Sequence, residues 1–454
     1  MEMREYLDIL SSQIRCKKAR PMIVEEIENH IEDQAEAYKA EGMEEEKALE
    51  KAVLEMGDPV EAGVALDRVH RPKMQWELVI LTVLLSLIGL LVQITIFKGS
   101  CIGSEGNAIE IRNSYIQNAV INMLVSFLIM AVMCAIDYTF LAKHPIALWW
   151  GSCILLFFYY FIYGWRMLMR NAFPYYIITL IVPVFAAIVF QYRGKKIIGM
   201  LKCIGLLAVM GLVLFINHTS ISGMMEMAAA VLLILTVAIL KGWFGGRKAG
   251  KMALIWVPAL GIPAVLTAAA FRANENLRIL AEYQAARIRA MFDPTQEATY
   301  QVMVVREQLD KITIFGNREL PLTVLPSIQN DYIVTSMFTY FGAAFTILVL
   351  CVVAYFVWKV FHISFRQKNQ LGFIISISCG GLLLIKSLNY LISNLGFYSV
   401  FSQMSMPFLS YGLGNAIVNG VLVGLLLSVY RNTNIISEKN IRPRYVFRLP
   451  IQKV

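Results

Sequence analysis

Long apolar segments recur along most of this chain and leave few folds open to it. From Trp76 to Tyr430 the sequence repeatedly runs about eighteen or more residues with almost no charge, enough for a helix to cross a hydrocarbon core of about 30 Å. Only 16% of the 454 residues are charged, against about 25% in ordinary soluble proteins. A transmembrane β-barrel would need segments of about ten residues with alternating polarity, whereas these segments are continuously apolar. The sequence therefore predicts an all-α, polytopic membrane protein.

Ten segments are long and apolar enough to be membrane spans. They comprise residues 76–97, 116–136, 146–163, 175–192, 197–216, 223–240, 252–271, 332–360, 371–395 and 408–430. The connection between the seventh and eighth, residues 272–330, is far longer than the others, and loops of that length are usually functional or disordered. Within it, residues 275–290 have the pattern of an amphipathic helix on a membrane surface.

Basic residues are concentrated on one side of the predicted bundle. The even-numbered turns carry clusters such as Arg193, Lys195 and Lys196, whereas the short odd-numbered turns carry fewer cations. Because cytoplasmic loops are enriched in Lys and Arg, both chain termini, including a basic tail over residues 432–454, are predicted to be cytoplasmic. The same enrichment accounts for the net charge of +9, so the sequence gives no reason to expect a nucleic-acid partner.

The first 71 residues are acidic and differ in kind from the rest. They hold 10 Lys or Arg and 18 Asp or Glu, whereas the remainder holds 31 and 14. Apolar positions at helical spacing, such as Leu7, Leu10 and Ile14, and breaks at Gly42 and Gly57 predict four short helices. We therefore expect a small cytoplasmic helical domain over residues 1–71. Its Glu26-Ile27-Glu28-Asn29-His30-Ile31 segment and its Met56-Gly57-Asp58-Pro59 turn resemble the permease prefix, or HAAS-type, domain of bacterial membrane proteins.

The second half of the chain carries the motifs of a known family. Met406-Pro407-Phe408-Leu409-Ser410-Tyr411-Gly412 opens the last apolar helix, and Leu325-Pro326 precedes Asp331 at the start of the eighth span. Arg287, Pro294 and Tyr300-Gln301 follow one another in the large loop. With ten spans and a large loop after the seventh, this pattern resembles the SEDS (shape, elongation, division, sporulation) glycosyltransferases, the RodA/FtsW family. The resemblance extends over roughly residues 76–431.

The resemblance implies a bacterial cell-membrane enzyme that polymerises lipid II, a lipid-linked disaccharide, at the external face. It implies a role in cell-wall growth, division or sporulation and a class B penicillin-binding protein as partner. Such a polymerase must take a proton from the attacking hydroxyl and stabilise a departing diphosphate, which calls for a carboxylate and for cations or a divalent metal. Asp331 would then be the catalytic base, and the substrate would be bound by Arg287, Tyr300, Gln301, Ser410 and Tyr411. A helix N-terminal cap is the alternative role for Asp331.

Glu226 in the sixth predicted span and Lys386 in the ninth are charged residues set among apolar neighbours. Charges at that depth are costly and normally face a cavity or a partner of opposite charge. The sequence leaves two roles for Lys386: pairing with Glu226, or contact with the diphosphate of the lipid substrate.

Departures from the family pattern keep other functions open. The glycine-rich stretch of the large loop is absent, and residues 335–342 lack the carboxylate that usually follows Asp331. These losses favour a catalytically reduced scaffold or regulator of cell-wall synthesis. A lipid flippase would require an internal repeat with broken helices, and none is evident. Neither a GxxxxGK[ST] phosphate loop nor an HExxH motif occurs.

Overall fold

The computed structural model contains helices and no strands in the residues that it describes, which are 1–100, 107–168, 173–216, 221–270, 282, 300–317, 330–397 and 405–435. The N-terminal head consists of α1 (Met3–Gln13), α2 (Arg20–Ala40), α3 (Glu45–Glu55) and α4 (Pro59–Val69). The membrane part continues with α5 (Trp76–Ser100), α6 (Asn107–Ala135), α7 (Phe140–Lys143), α8 (Pro145–Leu168), α9 (Phe173–Gln191), α10 (Lys196–Ile216), α11 (Ile221–Leu240) and α12 (Lys248–Ala270). It ends with α13 (Tyr300–Leu309), α14 (Ile333–Tyr340), α15 (Ala343–Phe365), α16 (Gln370–Asn394) and α17 (Leu413–Arg431).

Nine helices of the described part are long and apolar enough to cross a membrane. They are α5, α6, α8, α9, α10, α11, α15, α16 and α17, which confirms a polytopic all-α membrane protein. The seventh predicted span, residues 252–271, coincides with α12, but most of its side chains after Gly261 and the whole of Phe271 lie outside the described residues. The count of ten therefore stays a prediction. The amphipathic helix expected over residues 275–290 and the basic tail after residue 435 also fall outside the described residues, apart from Glu282.

Three spans form the centre of the bundle. The buried share of the span is 83% for α16, 72% for α9 and 67% for α17, but only 22% for α6. Helix α17 packs closely on α6 through Gly420 and Gly424, which lie four residues apart. A Cβ atom at Gly420 would collide with the carbonyl of Ser126, and one at Gly424 would collide with the side chain of Met133. Small residues at this spacing let two membrane helices approach, and dispersion contacts then hold them together.

The prediction of a single eighth span over residues 332–360 is wrong at its beginning. The structure divides this sequence into the short, buried α14 and the spanning α15, with Gly342 between them at a φ of +92°. Residues 313–317 pack against the break, where Asn317 N donates to Thr339 O at 2.9 Å and Ala343 N donates to Thr313 O at 3.0 Å. Apolar content concealed the break, because α14 is buried and therefore as apolar as a lipid-facing helix.

The head has its own core and touches the membrane part. Its four predicted helices are confirmed, and they bury Tyr6, Leu10 and Ile23. Ile435, four residues past the end of α17, is 3% exposed and lies in the same core. His70 Nδ1 donates to the Asn434 carbonyl at 2.6 Å, so the head lies at the end of the bundle where α17 ends. The domain boundary at residue 71 stays a prediction.

We expect Ile435→Ala in the full-length protein to loosen the head from the bundle. Truncating a buried Ile side chain removes about 2 kcal/mol or more of packing, which corresponds to at least about tenfold more time detached. Limited trypsin digestion after Lys73 should then release the head at least about tenfold faster, as followed by mass spectrometry. Val64→Ala, at a 40% exposed position on α4, is the control and should leave the rate near wild type. Equal rates of head release from the wild type and from Ile435→Ala would show that Ile435 does not hold the head against the bundle.

Candidate functional site

Asp331 lies in a short irregular stretch immediately before α14. The cap position of α14 is Tyr332, whose side chain makes no cap hydrogen bond. Helix α16 instead supplies acceptors for the first turn: Ile333 N donates to Tyr390 Oη at 2.9 Å, and Thr335 N donates to Asn394 Oδ1 at 3.0 Å. Since the first N–H groups of a helix need acceptors from outside it, these two bonds satisfy the N–H groups of Ile333 and Thr335, and the capping role considered for Asp331 stays a prediction.

The two carbonyl groups at Asn330 and Asp331 are held by side chains from elsewhere. Tyr390 Oη donates to Asn330 O at 2.8 Å, and Ser410 Oγ donates to the same oxygen at 2.9 Å. Asn394 Nδ2 donates to Asp331 O at 3.0 Å. Irregular backbone at membrane depth requires partners within the protein, because lipid supplies none. The backbone on both sides of the Asp331 side chain is therefore fixed in place by α16 and by Ser410.

The predicted motif around Ser410 is itself anchored. Met406 N donates to Ser410 Oγ at 2.8 Å, and Gln93 Nε2 of α5 donates to Leu409 O at 2.7 Å. Phe408 has a φ of +65°, an uncommon conformation for a bulky residue. These contacts position the hydroxyl of Ser410 to reach Asn330, so the structure brings two predicted site residues, Ser410 and Asp331, into one cluster of hydrogen bonds.

Tyr411 belongs to an aromatic group beside this cluster. Its ring meets Phe97 and Tyr115 edge to face, with centroids 5.8 and 5.7 Å away. A cavity of about 40 Å³ adjoins Tyr411 and is lined partly by polar groups of α5, α6 and α17. The space admits a few water molecules, and a sugar would need the surrounding helices to move apart.

Lys386 lies one turn from Tyr390 on the same face of α16, within the bundle. It is 1% exposed, and its Nζ stands 5.2 Å from the centre of the Tyr175 ring. Glu226 of α11 is 2% exposed and interacts electrostatically with Lys386. In the described part of the chain, Lys386 Nζ, Tyr175 Oη and the Glu226 carboxylate oxygens make no hydrogen bond of good geometry, although Tyr175 and Glu226 lie close enough to interact. The structure thus groups Glu226 and Lys386 with Tyr175.

The remaining predicted substrate residues are only partly visible. Arg287 lies outside the described residues, and Tyr300 and Gln301 form the start of α13 with side chains that are not described. Arg306, a further cation of the same loop, donates through Nε to Gly396 O at 2.7 Å and so holds α13 against the end of α16.

Tyr390 and Asn394 belong to the site, although the sequence did not assign them to it. The sequence carried a signal for them, because Lys386, Tyr390 and Asn394 are polar at spacings of four residues on a largely apolar helix. Residues at that spacing share one helix face, and a polar stripe inside a membrane helix indicates polar neighbours.

Asp331 is the only carboxylate in the sequence from residue 331 to residue 435. Among the described residues, no group of three His, Cys, Asp or Glu side chains is placed to hold a metal ion. The divalent cation considered from the sequence stays a prediction. What the site offers is one carboxylate on a fixed backbone, with hydroxyl and amide groups around it.

Solved structures of similar fold cover most of this chain. One belongs to a peptidoglycan synthase complex that coordinates polymerization and crosslinking, with a TM-score of 0.58, 14% identity, and coverage of 79% of this chain and 98% of that one. Another is the rod shape determining protein RodA of Thermus thermophilus, with a TM-score of 0.52, 13% identity, and coverage of 79% and 97%. At these identities the likeness shows a shared fold.

Curated relatives match shorter parts of the chain. A protein named probable peptidoglycan glycosyltransferase FtsW, from Thioalkalivibrio sp. (strain K90mix), is 27% identical over 173 residues, which are 36% of this chain and 43% of that protein. The protein of the same name from Enterococcus hirae is 28% identical over 138 residues, which are 30% of this chain and 33% of that protein. These matches span less than half the length of either relative.

A family model decides the affiliation. The model of the FtsW, RodA and SpoVE cell cycle proteins matches residues 75–435, which begin just before α5 and include every described helix of the membrane part, Asp331 and the Ser410 motif. The head lies outside the match. With a match over most of its length and a RodA-like fold, the chain belongs to the FtsW/RodA/SpoVE family.

Proposed function

We propose that this protein is a membrane glycosyltransferase that polymerises the lipid-linked disaccharide of peptidoglycan, with Asp331 as general base. The observation that carries the proposal is the set of hydrogen bonds from Tyr390, Asn394 and Ser410 to the backbone at residues 330 and 331. They fix the backbone without using the carboxylate of Asp331. The names of the curated relatives, probable peptidoglycan glycosyltransferases, support the reaction class.

The proposed reaction uses the Asp331 carboxylate as its base. Asp331 takes the proton from the attacking sugar hydroxyl, while the oxygen of that hydroxyl forms the new glycosidic bond. The bond between the donor sugar and its lipid diphosphate breaks, and the diphosphate leaves with the bonding electrons. A positioned base typically contributes about a hundredfold to ten-thousandfold in rate. Ser410, Tyr411, Tyr300, Gln301 and Arg287 are proposed to contact the lipid-linked substrate.

The setting of the reaction is part of the proposal. Both termini and the head face the cytoplasm, and Asp331 faces the opposite, external side, as the distribution of basic turns favours. A class B penicillin-binding protein is the proposed partner, and the similar fold of a chain within a peptidoglycan synthase complex supports it. A role in growth, division or sporulation follows from the family.

A scaffold or regulator of cell-wall synthesis is the second candidate. It is favoured by α14, which contains no acidic residue, and by the small cavity beside Tyr411. A scaffold would keep the same backbone hydrogen bonds, since none of them requires chemistry at Asp331. The two functions therefore differ in whether the carboxylate is needed.

Asp331→Asn should strongly slow polymerisation while leaving the fold intact. Asparagine keeps the size and hydrogen-bonding capacity of the side chain but cannot accept the proton, so we expect the rate to fall about a hundredfold or more. Purified protein is incubated with labelled lipid II, with and without a class B penicillin-binding protein, and the rate is measured as the amount of lipid II converted into glycan strands per unit time. Melting temperature reports the fold.

Asp310→Asn is the matched control, because Asp310 is exposed just after α13 and the same change there should preserve the rate. An Asp331→Asn variant that polymerises at the wild-type rate would rule out the general-base role. A wild-type protein that forms no glycan under either condition would favour the scaffold.

Tyr390→Phe tests whether the backbone before α14 must be held. The change leaves Ile333 N without its acceptor and removes one donor to Asn330 O, which should cost about 1–3 kcal/mol of stability. We expect kcat to fall more than KM rises, because Asp331 is displaced rather than the substrate contacts. Tyr355→Phe is the control, since that exposed hydroxyl donates to Glu77 near the head end of the bundle. Unchanged kcat in Tyr390→Phe would mean that Tyr390 does not position Asp331.

A double-mutant cycle tests whether Lys386 and Glu226 form a coupled pair. Breaking a buried pair by removing one charge typically costs about 3–5 kcal/mol, whereas removing both leaves no unpaired charge. Lys386→Met and Glu226→Gln should therefore each lower the melting temperature, and the double variant should recover most of the loss. Additive losses would show that the two residues are not coupled. If the stable double variant polymerises with an unchanged KM for lipid II, Lys386 does not bind the substrate.

A further inference from the structure

A basic cavity lies at the opposite end of the bundle from Asp331, beside the head. It has a volume of about 300 Å³, which is in the range of small-molecule sites. Its walls come from three places: the linker between the head and α5, the end of α15 with the turn after it, and the end of α17 with the residues that follow. We propose that this cavity binds the phosphate headgroup of an anionic phospholipid. The proposal stands independently of the glycosyltransferase activity.

The lining is strongly cationic. It contains six basic side chains, which are Arg71, Lys73, Lys359, Arg366, Lys368 and Arg431, together with His362. Among the described residues that line it, none is acidic. Like charges that share a concave site repel one another, and an anion placed between them replaces repulsion with attraction.

Little of this charge is neutralised within the described part of the protein. Lys359 forms an ion pair with Glu77, and Arg431 donates through Nη1 to the Cys134 carbonyl at 3.3 Å. Arg71, Lys73, Arg366 and Lys368 form no ion pair with a described carboxylate, and the side chains of all four are exposed. The cavity thus has donors available for the oxygens of a phosphate, which accept charge-assisted hydrogen bonds.

The position of the cavity favours a lipid as the source of the phosphate. Lys359, His362 and Arg366 occupy successive turns at the end of the spanning helix α15. On the same helix, Trp358 is 55% exposed and Phe365 is 68% exposed, and the Trp358 ring stacks on His362 with centroids 5.1 Å apart. Exposed aromatic side chains beside cations at the end of a span are typical of the membrane interface, where headgroups lie.

A headgroup in this place would link the head to the bundle. Arg71 and Lys73 precede α5 directly and follow the last head helix, whereas Arg366 and Arg431 belong to the membrane part. One phosphate that contacts both sets would add to the His70–Asn434 hydrogen bond and to the burial of Ile435. Because the lining residues would contact the headgroup, we expect the cavity to discriminate lipids by headgroup charge and not by acyl chain.

The test compares lipid binding by the full-length protein and by matched charge variants. Native mass spectrometry of the detergent-solubilised protein counts bound phosphatidylglycerol and, as the neutral comparison, phosphatidylcholine. Arg366→Gln with Lys368→Gln removes two exposed cations from the cavity. Lys195→Gln with Lys196→Gln removes two exposed cations at the head end outside it. We expect the first pair to weaken phosphatidylglycerol binding about tenfold or more and the second to leave it near wild type.

Several results would contradict the proposed lipid site. The site would be ruled out if the wild type bound the two lipids equally, or if both pairs of variants lost phosphatidylglycerol binding to the same extent. If inorganic phosphate at a few millimolar protects the protein from thermal unfolding as well as phosphatidylglycerol does, the cavity takes a soluble anion and the lipid assignment is wrong. Should Arg366→Gln with Lys368→Gln melt below wild type in phosphatidylcholine alone, the linker pair Arg71→Gln with Lys73→Gln replaces it, with the same expected loss.

Discussion

The absence of water in a bilayer governs the site around Asp331. A spanning helix satisfies its own backbone, but the chain is irregular before α14, between α14 and α15, and before α17. Each break exposes N–H and C=O groups that lipid cannot satisfy, so the protein must do so. Tyr390, Asn394, Ser410 and Gln93 do this at the first and third breaks. The contacts that permit the breaks are the same contacts that fix the position of Asp331.

Sequence predicted most of the spans because lipid imposes one simple requirement, a long apolar segment. The same requirement explains the error at the eighth span, where α14 is buried by neighbouring helices and so carries Ile333, Val334 and Met337 just as a lipid-facing helix would. Only Gly342 marked the break, and one glycine within an apolar helix is common. Bonds between distant segments, such as Ser410 to Asn330, have no local pattern and needed the structure.

The candidate site was predictable in part. Motifs pointed to Asp331 and Ser410, and the structure brings them together through Asn330. The residue pattern does not determine how deep Lys386 lies in the bundle, so contact with a substrate and pairing with Glu226 fitted equally well. Its 1% exposure and its position over Tyr175 show that a substrate phosphate would have to enter the bundle to reach it. That requirement weighs towards a structural role for Lys386.

The hydrogen bonds around residues 330 and 331 also bear on why Asp331 is an aspartate. They use the carbonyl groups of Asn330 and Asp331 and the N–H groups of Ile333 and Thr335, and none of them uses the carboxylate. Any residue at position 331 could take part in them, so these contacts do not account for the charge. A carboxylate beside membrane spans is costly unless it is compensated or used. The general-base role proposed above would account for an aspartate at position 331, which the backbone hydrogen bonds alone do not.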